Sequence, residues 1–348
     1  MKIRRSLLPT LALGAAAATV LAGCASGSDT ETATDAGDTA SSAGFPIEID
    51  NAFGTTVIES QPENVAAIAW GNQDVALALG VAPVGMPFIT YADDNGDGIL
   101  PWVQDALDEL GAETPVLYDE VDGVNFEQVA DTAPDVILAA NSGVTEEDYE
   151  TLTEIAPTVS YPGSPWIISW RDSTTTNGAA LGLEDEADDL IAETESVIEE
   201  AITANPELEG KSFAYIYLDP SDTSAAAVYL PGDTRIEFVK ELGLVASDGV
   251  TELAEQNEGQ FYASLTSENL DMLADADIIV NYGSADTLAA MQADPLIGSL
   301  PAVQRGSVVI IDNADPLAAA FTTPTVLSIP WGIDEYMSLL SDAASKVQ

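Results

Sequence analysis

Residues 184–204, EDEADDLIAETESVIEEAITA, decide how the rest of the chain is read. Leu190, Ile191, Thr194, Val197, Ile198, Ala201 and Ile202 recur at steps of three and four, which lays a single apolar stripe along a helix. Pro206 and Gly210 stop it. At about 1.5 Å per residue the segment makes a rod of about 31 Å, the width of a small domain. A rod of that length is suited to bridge two lobes.

On both sides of the rod, short apolar runs alternate with helical segments. Upstream, Phe45 to Ile58 reads as a hairpin broken near Asn51-Ala52-Phe53-Gly54. Strands are expected at Val65–Ala69, Val81–Met86, Pro115–Tyr118, Asp135–Ala139 and Pro157–Tyr161. Helices are expected near Gln73–Leu79, from Pro101 through Leu110, at Phe126–Asp131, and from Thr145 with three acids in its first turn, where the helix dipole favours them. Downstream the alternation resumes, with strands at Phe213–Leu218, Ala226–Tyr229, Ile278–Val280 and Val308–Ile311. Helices are read at Arg235–Leu242, Glu268–Leu273 and Asp286–Met291, and a last one from about Thr325 to Ala344. Strand–helix alternation predicts largely parallel α/β sheets. The organisation expected is an N-terminal lobe (45–182), an interlobe helix (183–206) and a C-terminal lobe (207–348). A faint internal echo supports it. Glu127 opens a helix that feeds Asp135-Val136-Ile137-Leu138, and Glu268 opens one that feeds Asp277-Ile278-Ile279-Val280. Chance similarity between α/β units is the competing account of that echo.

The chain starts with Lys2, Arg4 and Arg5, followed by an uncharged, mostly apolar run from Ser6 to Val20, the pattern of a secretory signal. Leu21-Ala22-Gly23-Cys24 resembles the lipobox of bacterial lipoproteins and makes Cys24, the only cysteine, the expected lipid-bearing (palmitate) residue. Residues 1–23 are then a signal peptide. Residues 24–44, rich in Ser, Thr, Ala, Gly and Asp, form a flexible tether with almost nothing to bury. The expected location is extracytoplasmic, on the cell membrane, with the lipid as the only membrane attachment. A lone thiol excludes an internal disulfide framework.

Nine basic residues face 59 acidic ones, for a formal net charge of −50. This excludes nucleic-acid partners, whose phosphates need a basic surface. Such self-repulsion weakens a compact state at low salt and keeps it soluble at high salt, which points to a halophile or a saline habitat. Hydrophobic content of 46% argues for a packed core rather than disorder. Beyond the leader only Arg171, Lys211, Arg235, Lys240, Arg305 and Lys346 are cationic, and histidine is absent. The absence of histidine removes the common catalytic triads and most zinc chemistry.

Pro62-Glu63-Asn64-Val65-Ala66-Ala67-Ile68, Leu79-Gly80-Val81-Ala82-Pro83-Val84-Gly85, Asn125-Phe126-Glu127 with Ala133-Pro134-Asp135-Val136-Ile137-Leu138, and Thr266-Ser267-Glu268-Asn269-Leu270 are individually weak motifs. In this order and spacing the chain, from about Phe45 on, resembles the siderophore and cobalamin class of ABC-importer substrate-binding proteins, and most of all actinobacterial iron–siderophore receptors. The resemblance implies the class III periplasmic-binding-protein fold, two α/β lobes on one rigid helix, with a ferric siderophore held between them and handed to ABC permease subunits by a monomeric receptor. It further implies that Glu127 and Glu268 dock into arginine pockets of the permease. The plain reading of each is an acid favouring a helix N-terminus. Val124 stands where the family often has proline.

A pocket for ferric siderophores wants arginine forks and flat aromatic walls. Arg171, set among Trp166, Trp170 and Asp172, is one candidate; pairing with Asp172 or stacking on Trp170 is its plain reading. Arg235, near a helix start where a cation is disfavoured, is the other, with Asp233 or Glu237 as plain partners. Trp70 follows a buried strand directly, the usual ligand position in α/β sheets, and Asn141-Ser142-Gly143 and Asn281-Tyr282-Gly283 hold equivalent ends. Tyr91, Trp170, Tyr217, Tyr262 and Trp331 are further wall candidates. Arg305 and Lys211 are expected to be solvated. Asp93, Asn95 and Asp97 with Gly98 match the start of a calcium loop, but Gln104 replaces the closing glutamate and the segment is read as an acidic turn. No catalytic residue, resident metal or cofactor is expected. Other readings keep the binding class and change the cargo to cobalamin or haem, or make the chain a sensor or adhesion lipoprotein on the same fold. A glycosidase-like carboxylate pair is the enzyme chemistry that composition leaves open.

Overall fold

The computed structural model describes residues 44–219 and 221–347. The signal, Cys24 and the tether as far as residue 43 lie outside them.

The first sheet has five strands, all parallel, in the order Val116–Tyr118, Gly85–Pro87, Val65–Ala67, Val136–Ala139, Thr158–Ser160. Val136 to Ala139 is a continuous apolar run, and every residue of it is fully buried, because helices cover both faces of a parallel sheet. The second sheet runs Tyr262–Thr266, Ala225–Tyr229, Ser212–Tyr217, Ile278–Gly283, Val308–Asp312. Its last three strands are parallel, and the first two pair antiparallel. The edge strand Tyr262–Thr266 alternates exposed and buried side chains, as one open face requires. The helix Glu184–Ala204, with the bounds its periodicity predicts, links the two sheets in sequence and packs against the helices Trp170–Ala180 and Ser328–Ala344. Ala187, Thr194, Ile198 and Ala201 form its buried stripe.

Several elements differ from expectation. Of the Val81–Met86 run only Gly85 and Met86 pair, in a strand Gly85–Pro87, because Pro83 has no N–H to extend the ladder toward Val81. The strand from Val65 ends at Ala67, since Ala69 adopts a left-handed φ of 62°. Ser267–Leu273 is a 3₁₀ helix. The helix Trp170–Ala180 carries no periodic signal: Ser173, Thr174, Thr175, Thr176 and Asn177 are weak helix formers. Its cap supplies the start, with Ser169 Oγ accepting from the Asp172 N–H. This helix approaches the interlobe helix so closely at Gly178 that a Cβ there would stand 2.4 Å from Ala187 Cβ. Arg305 is only partly solvated; it donates to the Ser307 hydroxyl and to the carbonyls of Ala276 and Asp277.

One apolar core crosses the molecule. It runs from Val75 and Trp102 through Ile198 and Ala201 to Phe213 and Tyr215, and on to Ile329, Tyr336 and Leu340 of the helix Ser328–Ala344. A polar tie reinforces it. Asp74, 1% exposed on the helix Asn72–Ala78, accepts from Trp102 Nε1 at 2.8 Å and from Thr325 Oγ1 at 2.6 Å. Burial lifts its pKa from 3.8 to about 6, against the pull of those bonds. No described helix is long and apolar enough to cross a membrane.

Candidate functional site

The carboxyl ends of the parallel strands of both sheets meet at the cleft between them, where open α/β sheets hold ligands. On the first sheet's side the loops are bolted by a buried asparagine network. Asn72 Nδ2 donates to the carbonyls of Ile68 and Asn141, Asn72 Oδ1 accepts from the Asn141 N–H and from Asn177 Nδ2, and Asn141 Nδ2 donates to the Trp70 carbonyl. Trp70 is thereby fixed at the cleft, and its ring lies 6.3 Å from that of Tyr91. Glu120 Oε2 accepts from the Ala69 N–H at 2.9 Å, holding the left-handed turn before Trp70. Burial pushes the Glu120 carboxyl up to about 7, opposed by that single bond. Trp166, itself at φ 61°, lays its indole over Gly143; a Cβ at residue 143 would fall 2.3 Å from Trp166 Nε1.

On the second sheet's side the helix Thr234–Glu241 starts at the cleft, with Asp233 as its cap. Asp233, 5% exposed, takes Arg235 in a fork, through Nε at 2.7 Å and Nη2 at 2.7 Å. The guanidinium lies 3.8 Å from the centroid of the Tyr229 ring. Arg235 Nη1 has no hydrogen-bond partner among the described residues. Burial works against the Arg235 charge, but the Asp233 bonds and the nearby phenols outweigh it and raise its pKa. Tyr215, Tyr229 and Tyr282 form an aromatic platform with ring separations of 5.4 to 6.4 Å. Tyr91 comes from the opposite lobe, and its phenol, pushed up by burial and by Tyr282, lies among Thr322, Tyr229 and Arg235. A cavity of about 400 Å³ opens here, with Asn141 and Trp166 on one wall and Tyr229, Arg235, Phe261, Tyr262 and Thr322 on the other.

The structure thus gathers Arg235 and Tyr262 in one cavity, with Trp70 and Tyr91 beside them. Tyr217 sits opposite Ala227 of the cavity wall, on the same pleat face, 42% exposed. Arg171 and Trp170 border a neighbouring cavity of about 250 Å³ that meets the first at Thr234. Arg171 stacks on Trp170, as its plain reading has it, but pairs with Glu195 and Glu241 instead of Asp172. Trp331 stands apart, with its ring 5.1 Å from Trp102. Tyr229 and Thr322 were not among the sequence candidates. Tyr229 was legible as the last residue of a strand stopped by Pro231-Gly232, whereas Thr322 is brought in by tertiary packing alone. Glu127 and Glu268 are both exposed, in the first turns of their helices. In the acidic turn, the carboxylates of Asp93 and Asp97 and the amide of Asn95 accept backbone N–H groups of their own loop. Among the described residues no three Asp, Glu, His or Cys side chains are gathered to hold a metal ion.

Known proteins place this architecture. PiaA of Streptococcus pneumoniae, solved in complex with ferrichrome, is 40% identical, with a TM-score of 0.82 over 87% of this chain and 100% of that one. A periplasmic solute binding protein of Mycobacterium smegmatis is 26% identical, with a TM-score of 0.71 over 86% of this chain and 98% of that one. The Fe(3+)-citrate-binding protein YfmC of Bacillus subtilis is 25% identical over 75% of this chain and 76% of its own length. The family model for periplasmic binding proteins matches residues 65–314. The two α/β sheets, the single long helix and the cleft between them are those of its substrate-binding members, and the chain belongs to the periplasmic binding protein family.

Proposed function

We propose that this protein captures a ferric siderophore in the cleft between its lobes and delivers it to an ABC permease. The observation that carries the reading is Arg235. In a chain of charge −50, one of very few cations is half-buried at the mouth of the cleft, stacked on Tyr229 and faced by Tyr91 from the opposite lobe. Asp233 holds two of its donors, and the free edge of the fork remains for an oxygen-rich chelate. PiaA, complexed with ferrichrome, and the Fe(3+)-citrate-binding YfmC support iron chelates as the cargo class. In this reading the lobes are residues 45–182 and 207–348. Cys24 carries the lipid that tethers a monomeric receptor outside the membrane, and a saline habitat balances the charge. Glu127 and Glu268, exposed on separate lobes, register the receptor on the permease.

The test is a titration of ferric hydroxamate, catecholate and citrate chelates against intrinsic tryptophan fluorescence, with cobalamin and haem as controls. Trp70 and Trp166 flank the cleft, so a coloured chelate seated there quenches them. Saturable quenching by one ferric chelate class, lost in Arg235→Ala, supports the proposal. Saturation by cobalamin or haem alone overturns the cargo, and no saturable response from folded protein favours a sensor. Uptake lost in a Glu127→Ala/Glu268→Ala double variant that still binds cargo supports permease docking.

A further inference from the structure

Arg171 is one of six cations beyond the leader, yet it stands away from the cargo cavity. Its guanidinium joins three elements instead. It projects from the helix Trp170–Ala180, its Nε donates to Glu195 of the interlobe helix at 2.6 Å, and its Nη2 donates to Glu241 at 2.5 Å. The second oxygen of Glu241 accepts from Trp170 Nε1 at 3.3 Å, and the Trp170 ring underlies the guanidinium at 4.2 Å. Both oxygens of the Glu241 carboxylate are therefore held from across the cleft. Glu241 is the last residue of Thr234–Glu241, the eight-residue helix whose first turn carries Arg235. A helix of that length turns as a rigid body. Where its far end is pinned, the cargo-facing cation at its near end is pinned as well.

We propose that Arg171 is a positioning residue, a clasp that locks the Thr234–Glu241 helix to the opposite lobe and to the interlobe helix and so sets the cleft opening in which Arg235 meets the cargo. The proposal rests on the chelate-receptor reading above. Without the clasp, conformers with Arg235 at the right distance from Tyr91 form a smaller share of the ensemble, and apparent affinity falls by that share.

Two measurements on the intact chain test it. The first is chelate affinity of Arg171→Ala, Arg171→Lys and Glu241→Gln. The clasp predicts a loss of about tenfold for Arg171→Ala, what two half-exposed ion pairs sum to, with a smaller loss for Arg171→Lys, whose single ammonium reaches one carboxylate well. Glu241→Gln separates the explanations. It frees Arg171 of a counter-charge, so a direct contact between Arg171 and an anionic cargo predicts tighter binding, whereas the clasp predicts weaker binding. The second is pulsed electron paramagnetic resonance between labels at Glu109→Cys and Glu255→Cys, one in each lobe, with Cys24→Ser to keep labels off residue 24. Arg171→Ala should broaden the interlobe distance distribution, and saturating chelate should narrow it again. An unchanged distribution overturns the clasp whatever the affinity. If the unsubstituted protein binds no chelate at all, the functional reading fails, while the distance measurement still decides whether Arg171 fixes the lobes.

Discussion

Replacing Asp74 with asparagine removes a buried charge from the tie between the two halves while keeping an oxygen for Trp102 Nε1 and Thr325 Oγ1. One carboxylate oxygen, Oδ1, has no hydrogen-bond partner, so the ionised group carries an uncompensated desolvation cost. The folded-state pKa of about 6 lies above the ordinary 3.8, so the native state binds the proton more tightly than the unfolded chain. The stabilising contribution is therefore fully present below pH 3.8 and is lost as pH rises through 6. In total it is about 3 kcal/mol, at about 1.4 kcal/mol per unit. The sequence pI of 4.1 makes the lower part of that range prone to precipitation. Between pH 5 and 8 about 1.4 kcal/mol remains to be lost. The assay is urea unfolding of the wild-type and Asp74→Asn proteins at fixed high salt across that window. The carboxylates common to both proteins, Glu120 included, cancel in the difference. The variant should gain about 1.4 kcal/mol relative to wild type from pH 5 to pH 8. Parallel stability–pH profiles would refute the argument that Asp74 is a desolvated carboxylate in the folded state.

Arg235→Ala should abolish saturable chelate quenching at micromolar concentration, while Arg235→Lys, which cannot fork onto Asp233 and stack on Tyr229 together, should retain part of it; titration distinguishes the two. Tyr262, 57% exposed at the cavity rim, should cost about tenfold in affinity when replaced by alanine, with no change in melting temperature. Gly178→Ala should destabilise the fold by about 1–3 kcal/mol through the clash with Ala187, read as a shifted urea midpoint at constant slope. Raising NaCl from 0.1 to 1 M shortens the screening length from about 10 to about 3 Å, and the melting temperature of this −50 chain should rise with it.

The parts of the fold that were legible rest on strong local chemistry. The interlobe helix declared itself by six apolar positions and Thr194 at helical spacing, and Pro101–Leu110 by proline at its first position and Gly111 in the left-handed region after it. Trp170–Ala180 stayed hidden because its residues are poor helix formers and its stability comes from packing against the interlobe helix at Gly178. The site was half legible for a related reason. Scarcity of cations singled out both Arg171 and Arg235, and helix-start chemistry marked Arg235. Scarcity alone could not show that Arg171 pairs with Glu195 and Glu241 while Arg235 lines the cleft cavity, because Glu195 and Glu241 lie 24 and 70 residues from Arg171 in sequence. Trp331 looked like a wall residue by type, but the register of its helix turns it to Trp102.

The shared core fixes an order of events in synthesis. Val75 and Trp102, made early, are sealed in the same apolar cluster as Ile329, Tyr336 and Leu340, made almost last. A ribosome-bound chain that has completed the first sheet therefore still lacks the helix Ser328–Ala344, and the core that crosses both halves is not complete until about residue 340 has emerged. Contacts of such long range make native collapse slow. Until then the chain's surplus of like charge keeps the unfinished molecule from sticking to its neighbours.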